Sequence, residues 1–241
     1  RIAEVASYLV PFMGSIYFGA MLIAILLNFE LVVPALKLIF VDAFNGTAVA
    51  GGTFIGVLIY GVRRGAFSNE AGMGTESLVH GVAKVSNPVK QGLVAMTGPI
   101  FDTLIICTAT ALIILISGVW ETSASQGVTL TSEAFNLLLG DIGGFILFAC
   151  VICFGLSTIF TYSYYGATCA RFIFGNFGMN FYIYLYIIGI FIYSIVPIDI
   201  AINIADGAFA MMAIPTLISA LWLAPKVMQE SRNYFKLIDN A

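Results

Sequence analysis

FNGTAVAGGTFIGVLIYGVRRGAFSNEAGMGTE, residues 44–76, is the stretch on which the fold turns. It begins as an apolar run, yet Gly46, Gly51, Gly52 and Gly56 interrupt it. Val57–Tyr60 lead into paired arginines, Arg63 and Arg64, and the stretch ends polar and glycine-rich. Each glycine weakens a helix by about 1 kcal/mol relative to alanine. Inside a bilayer the loss is felt more, because freed backbone groups find no water. A simple anchor has no use for such a segment. A helix broken at membrane depth can present its backbone to a ligand.

The rest of the composition supplies the membrane. Of 241 residues, 60% are hydrophobic and 10% charged, against about 25% charged in soluble domains. Runs of about 20 apolar residues, enough to cross a hydrocarbon core, recur along the chain. No basic patch points to nucleic acid. Cys107, Cys150, Cys153 and Cys169 all lie in or beside apolar runs. The C-x-x-C spacing of Cys150 and Cys153 has no second ligand pair, and His80 is the one histidine, so the thiols read as structural. His80 itself falls in a polar loop and reads as solvated or locally hydrogen-bonded. The chain starts at Arg1 with no leader pattern and is expected to be a fragment of a longer protein.

Taken in order, span one is expected at Tyr8–Phe29. Leu31–Phe44, with Lys37 and Asp42, is too short to cross and should lie at the interface. The broken span ends near Arg63, and a polar connection covers Ser68–Lys90. Span three follows at Gly92–Trp120, then a short amphipathic helix at Ser132–Leu139. Spans four, five and six are expected at Ile142–Phe174, Phe181–Pro197 and Asp199–Ala224, before a charged tail. With alternating spans, Arg1, Arg63, Arg64, Lys84, Lys90, Arg171, Lys226, Arg232 and Lys236 fall on one side and Lys37 on the other. The positive-inside rule puts the first side in the cytoplasm.

Several of these residues form a pattern. Arg64-Gly-Ala-Phe-Ser-Asn-Glu-Ala-Gly-Met-Gly74 resembles the R-G-x-F-S-N-E-A-G-x-G signature of the alanine or glycine:cation symporters. The likeness continues through Pro88-Val-Lys-Gln-Gly92, Phe101-Asp-Thr103, Cys107-Thr108, Ser117-Gly-Val-Trp120, Tyr164-Tyr165-Gly166 and Met212-Ala-Ile-Pro215, in the family's order. The resemblance implies sodium- or proton-coupled uptake of alanine or glycine at the cell membrane, with no enzymatic activity and no cofactor beyond the coupling ion. It also implies an all-α, leucine-transporter type of fold. Residues 1–30 would be the last helix of the first inverted repeat, 31–224 the second repeat, and 225–241 a cytoplasmic tail. The partners would be a small neutral amino acid, sodium or protons, the bilayer and a first repeat from the same protein. The fragment alone is not expected to transport.

Two constellations are candidate sites under that resemblance. If the helix unwinds at Gly51–Thr53, its outer half offers carbonyls to an ammonium group and its inner half offers N–H groups to a carboxylate. Gly51, Gly52, Thr53 and Phe54 are therefore candidate substrate contacts, although Gly52 and Gly56 equally suit close helix packing. On span four, Ser157 and Thr158 are adjacent hydroxyls, and with a carbonyl one turn earlier, at Phe154, they offer oxygen ligands to sodium. Such hydroxyls also bond back to their own helix. Phe154, Thr158, Tyr162 and Tyr165 share one helix face; Tyr162 stands where family members often carry tryptophan and is a candidate substrate wall.

Asp102 lies about 15 Å beyond Gly92 along span three, and Asp206 lies a third of the way into span six. Acids inside a membrane are costly and by default functional. Both are coupling or gating candidates, without an evident cation partner in the sequence. Asn69 and Glu70 could cap a helix or close an inner gate, Glu70 by pairing with Arg63 or Arg64. An intramembrane aspartyl protease would use Asp102 and Asp206 as a dyad, but neither sits in a G-x-G-D pattern. A channel, or a proton-driven permease of the same fold, would be built from the same kinds of span.

Overall fold

A computed structural model describes residues 2–44, 53–70 and 72–239, and those residues are helical with no strand. The helices are α1 (Ile2–Leu27), α2 (Val32–Ala43), α3 (Thr53–Asn69), α4 (Thr75–His80), α5 (Pro88–Ala95), α6 (Thr108–Ser117), α7 (Val119–Thr122), α8 (Val128–Leu139), α9 (Asp141–Ile195) and α10 (Ile198–Asp239). Between α5 and α6, Ile100–Cys107 wind as a π-helix. Among the described residues four runs are long and apolar enough to cross a membrane: Leu9–Leu27, Pro88–Ser117, Asp141–Ile195 and Ile200–Ile238. α2 has 12 residues, about 18 Å, and is too short to cross.

Local chemistry sets the ends. The Asn28 amide donates to the Ala24 carbonyl at 2.9 Å, satisfying one of the carbonyls left over where α1 stops. Asn87 caps α5 by accepting from the Val89 N–H at 2.8 Å, with Pro88 at the first helical position. Ser125 donates to Glu133 at 2.6 Å; hydrogen bonds from Ser123 and Ser125 hold the Glu133 carboxyl below its usual range.

The expected spans four and five both fall within α9, whose 55 residues would reach about 80 Å if straight. They do not run straight. Gly175 leaves the helix at φ 70°, ψ −160°, a region open in practice to glycine alone. The chain reverses there. A Cβ on Gly178 would lie 2.9 Å from the Ala170 carbonyl oxygen, and one on Gly166 would fall on the Tyr182 ring. Two antiparallel arms therefore meet without a loop. Gly175→Ala is expected to cost about 1–3 kcal/mol, read as a lower midpoint in thermal melting of the detergent-solubilised protein.

The chain divides into two compact units, residues 1–60 with 103–164, and residues 61–102 with 165–241. The core of the first joins Met13, Tyr17 and Met21 of α1, Ile113 of α6, Phe135 of α8 and Leu147 and Cys150 of α9. Phe135 and Ile113 are fully buried. The Tyr17 ring stacks on Phe135 at 5.7 Å and meets Phe154 edge-on at 6.3 Å. The Tyr17 hydroxyl shares a 2.9 Å hydrogen bond with Thr110, whose own hydroxyl is 2.9 Å from the Ile106 carbonyl. In the second unit α10 runs unbroken to Asp239, through Pro215 and Pro225, so most of the expected tail is helical.

Candidate functional site

In the first unit the candidate cation residues lie on α9, where Phe154 meets the Tyr17 ring edge-on. Ser157 is buried, and its hydroxyl donates to the Phe154 carbonyl at 2.9 Å. A serine hydroxyl that donates once keeps two lone pairs, so this back-bond leaves its oxygen able to face a cation. The Ser157 carbonyl accepts from Thr161 at 2.8 Å. Thr158 is exposed, Phe154 is 41% exposed and Tyr162 is half-buried. The two hydroxyls thus differ in environment, one buried and one open. Gly51 and Gly52 lie outside the described residues. Thr53 opens α3 and Phe54 follows it; their side chains likewise lie outside what the structure describes. Of the candidate substrate residues, Tyr162 is the one whose side chain is described.

The second unit gathers the signature. α3 ends at Asn69, and the backbone then takes positive φ at Glu70 (56°), Gly72 (81°) and Gly74 (89°) before α4. Glycine is required twice over at Gly74, since a Cβ there would also lie 2.7 Å from the Thr216 hydroxyl of α10. Ser68 donates to Asp102 at 2.6 Å, the short distance of a charge-assisted bond. His80 Nδ1 is 2.7 Å from the Gln91 amide. A cleft of 330 Å³ opens here, lined by Ser68, Asn69, Glu70, Glu76, Asp102 and Tyr165 among others.

Asp206 corrects one expectation. The sequence offers it no evident cation partner, but Arg63 reaches its Oδ2 at 3.4 Å and Arg64 at 3.8 Å. The Asp206 side chain is 10% exposed, against 55% for Arg63 and 35% for Arg64. Asp206 Oδ1 is buried without a hydrogen-bond partner among the described residues. One turn further, Phe67 and Phe209 meet edge-to-face at 4.8 Å, and a cleft of 690 Å³ lies along the seam. The pairing fixes a level: Arg63 and Arg64 sit beside Asp206. They cannot close the broken span at the cytoplasmic edge while Asp206 lies a third of the way in from the other side.

The two acids also have separate partners, Ser68 for Asp102 and the arginines for Asp206. Neither the Arg–Asp cluster nor the Tyr17–Thr110 pair is visible as a motif. The one usable signal is that Asp206 is the sole acid between Asp199 and Glu230, so a nearby arginine pair is its natural counter-charge.

Four runs long and apolar enough to cross a membrane, with an Arg–Asp cluster held on two of the helices, are the build of an integral membrane protein. The sodium:alanine symporter family model matches residues 1–240, and the chain belongs to that family. It is 34% identical over 242 residues to the sodium/alanine symporter AgcS of Methanococcus maripaludis, covering 99% of this chain and 53% of that protein. An uncharacterised transporter of Haemophilus influenzae is 36% identical, with 98% and 53% covered. A sodium/proton-dependent alanine carrier protein of Bacillus sp. PS3 is 32% identical over 182 residues, with 70% and 41% covered. The chain spans about half the length of the curated relatives it matches.

Proposed function

We propose that the protein carrying this chain is a symporter that moves a small neutral amino acid, alanine or glycine, into the cell with sodium by alternating access. The observation that carries this reading is the match of the family across residues 1–240, with the signature from Arg64 to Gly74 unbroken. The fold we propose is of the leucine-transporter type, with residues 1–30 closing a first repeat and 31–224 forming the second. Relatives about twice as long support a preceding repeat from the same protein. Gly51, Gly52, Thr53, Phe54 and Tyr162 contact the substrate. Phe154, Ser157 and Thr158 hold sodium, while Asp102, Asp206, Asn69 and Glu70 act in coupling or gating. Lys84, Lys90 and the tail from 225 face the cytoplasm; Arg63 and Arg64, level with Asp206, leave that count.

In proteoliposomes bearing the complete transporter, labelled alanine uptake should follow an inward sodium gradient and stop when that gradient is collapsed. Ser157→Ala with Thr158→Ala should weaken the dependence on sodium while leaving the protein folded. Unchanged sodium dependence would remove that site. A second reading, coupling to protons, is favoured by the name of the relative from Bacillus sp. PS3. Uptake driven by a pH gradient without sodium would select it.

A further inference from the structure

We infer that the cleft beside the Arg63–Asp206 pair is a second amino-acid site, which takes the zwitterionic head of an α-amino acid whose side chain is bulky and apolar. It uses none of the residues proposed above to contact substrate or sodium. The cleft measures 690 Å³ and lies mainly between α3 and α10, within the ~300–1,000 Å³ of ligand pockets. Its polar and apolar parts are segregated. Asn203 and Asp206 line it on α10 beside Arg63 of α3, and Phe209, Ala213 and Leu217 continue the same helix face as an apolar wall. From Asp206 to Leu217 that face rises about 16 Å.

The polar end is electrically incomplete. Asp206 is nine-tenths buried, and both arginines approach its Oδ2, at 3.4 and 3.8 Å. Oδ1 has no hydrogen-bond partner among the described residues, and a buried acceptor left in that condition is costly. The last torsion of a carboxylate is broad, so a turn of the group about it brings Oδ1 to the cleft. The Arg63 side chain is half-exposed, and among the described residues Asp206 is its one partner. Most of its five N–H donors are therefore open to a ligand.

These charges select the ligand. Two guanidinium groups and one carboxylate leave one positive charge in excess, which repels a metal ion. A simple anion would answer the arginines and leave Oδ1 unmet. An α-amino acid meets both needs: its carboxylate takes the Arg63 fork, and its ammonium donates to Asp206 Oδ1. Its side chain then lies along Phe67 and Phe209, which meet edge-to-face at 4.8 Å. Alanine or glycine would leave that wall bare, whereas leucine or phenylalanine covers it.

Binding of labelled L-leucine to the complete protein in detergent, by equilibrium dialysis in sodium-free choline buffer, tests the site apart from transport. Alanine uptake can follow sodium whether or not leucine binds here. Saturable binding is expected. As competitors, 3-methylbutylamine, which lacks the carboxylate, and 4-methylpentanoate, which lacks the ammonium, should each be at least tenfold weaker than leucine. Gly207 lines the cleft next to Asp206, and a Cβ there meets nothing within 4 Å. Gly207→Leu therefore fills the space without touching the charges, and losing a glycine favours the helix. Gly207→Leu and Arg63→Gln should each lower leucine affinity at least tenfold, with elution in size exclusion unchanged. If Arg63→Gln does not fold, Gly207→Leu and the two analogues decide the matter. The inference is overturned by absence of saturable binding without sodium, by either analogue competing as well as leucine, or by unchanged affinity in a folded variant.

Discussion

Arg63→Gln together with Arg64→Gln is expected to destabilise the protein by about 3–5 kcal/mol, the cost of stripping the partners from a buried charge. The direction follows from exposure. Asp206 is the buried member of the cluster, and its Oδ1 already lacks a hydrogen bond among the described residues. The arginine side chains are the more exposed members, at 55% and 35%. Asp206→Asn should therefore cost less, about 1 kcal/mol, because it removes the charge that needs compensation and leaves behind two that do not. The triple variant Arg63→Gln, Arg64→Gln, Asp206→Asn should recover most of the stability lost by the arginine pair. Fluorescence-detected size-exclusion after a heat ramp would read all three. Failure of the triple variant to recover would mean that the arginines act through contacts other than Asp206.

Phe135→Ala is the second change with a large expected effect, about 3 kcal/mol. That is the low end for buried Phe→Ala substitutions, chosen because lipid, unlike water, gives apolar groups little reason to leave it. What is lost is packing. Phe135 is fully buried and stacks on Tyr17, which in turn meets Phe154. The void would free the Tyr17 ring and loosen the surroundings of Ser157. A lower thermal midpoint is the expected readout, with a weaker apparent sodium affinity if the proposed site at Ser157 holds the ion; a change in stability alone would separate the core from the proposed cation residues.

The helices can be read from the apolar runs, because in a membrane the backbone must satisfy itself and few other structures do so. Spans four and five are legible as separate apolar runs. The device that joins them is not: Gly175 replaces a loop, and a lone glycine between aromatic runs carries no local sign of φ 70°, ψ −160°. Phe135 escapes notice for a different reason. Ser132–Leu139 sits among polar loop residues and reads as amphipathic, whereas its apolar side completes the first unit's core. The partners of Asp206 lie 143 and 142 positions away, beyond any periodicity.

The π-helix at Ile100–Cys107 sets a phase. Each residue of an α-helix turns the chain by about 100°, and a π-turn accommodates one residue more than an α-turn. Deleting one residue within this segment could leave the run helical from Pro88 to Ser117. It would nonetheless rotate Asp102 by about 100° relative to Ala109 and Ile113. The surplus residue thus sets the angular phase along one continuous run, fixing which side chains before and after it share a helix face.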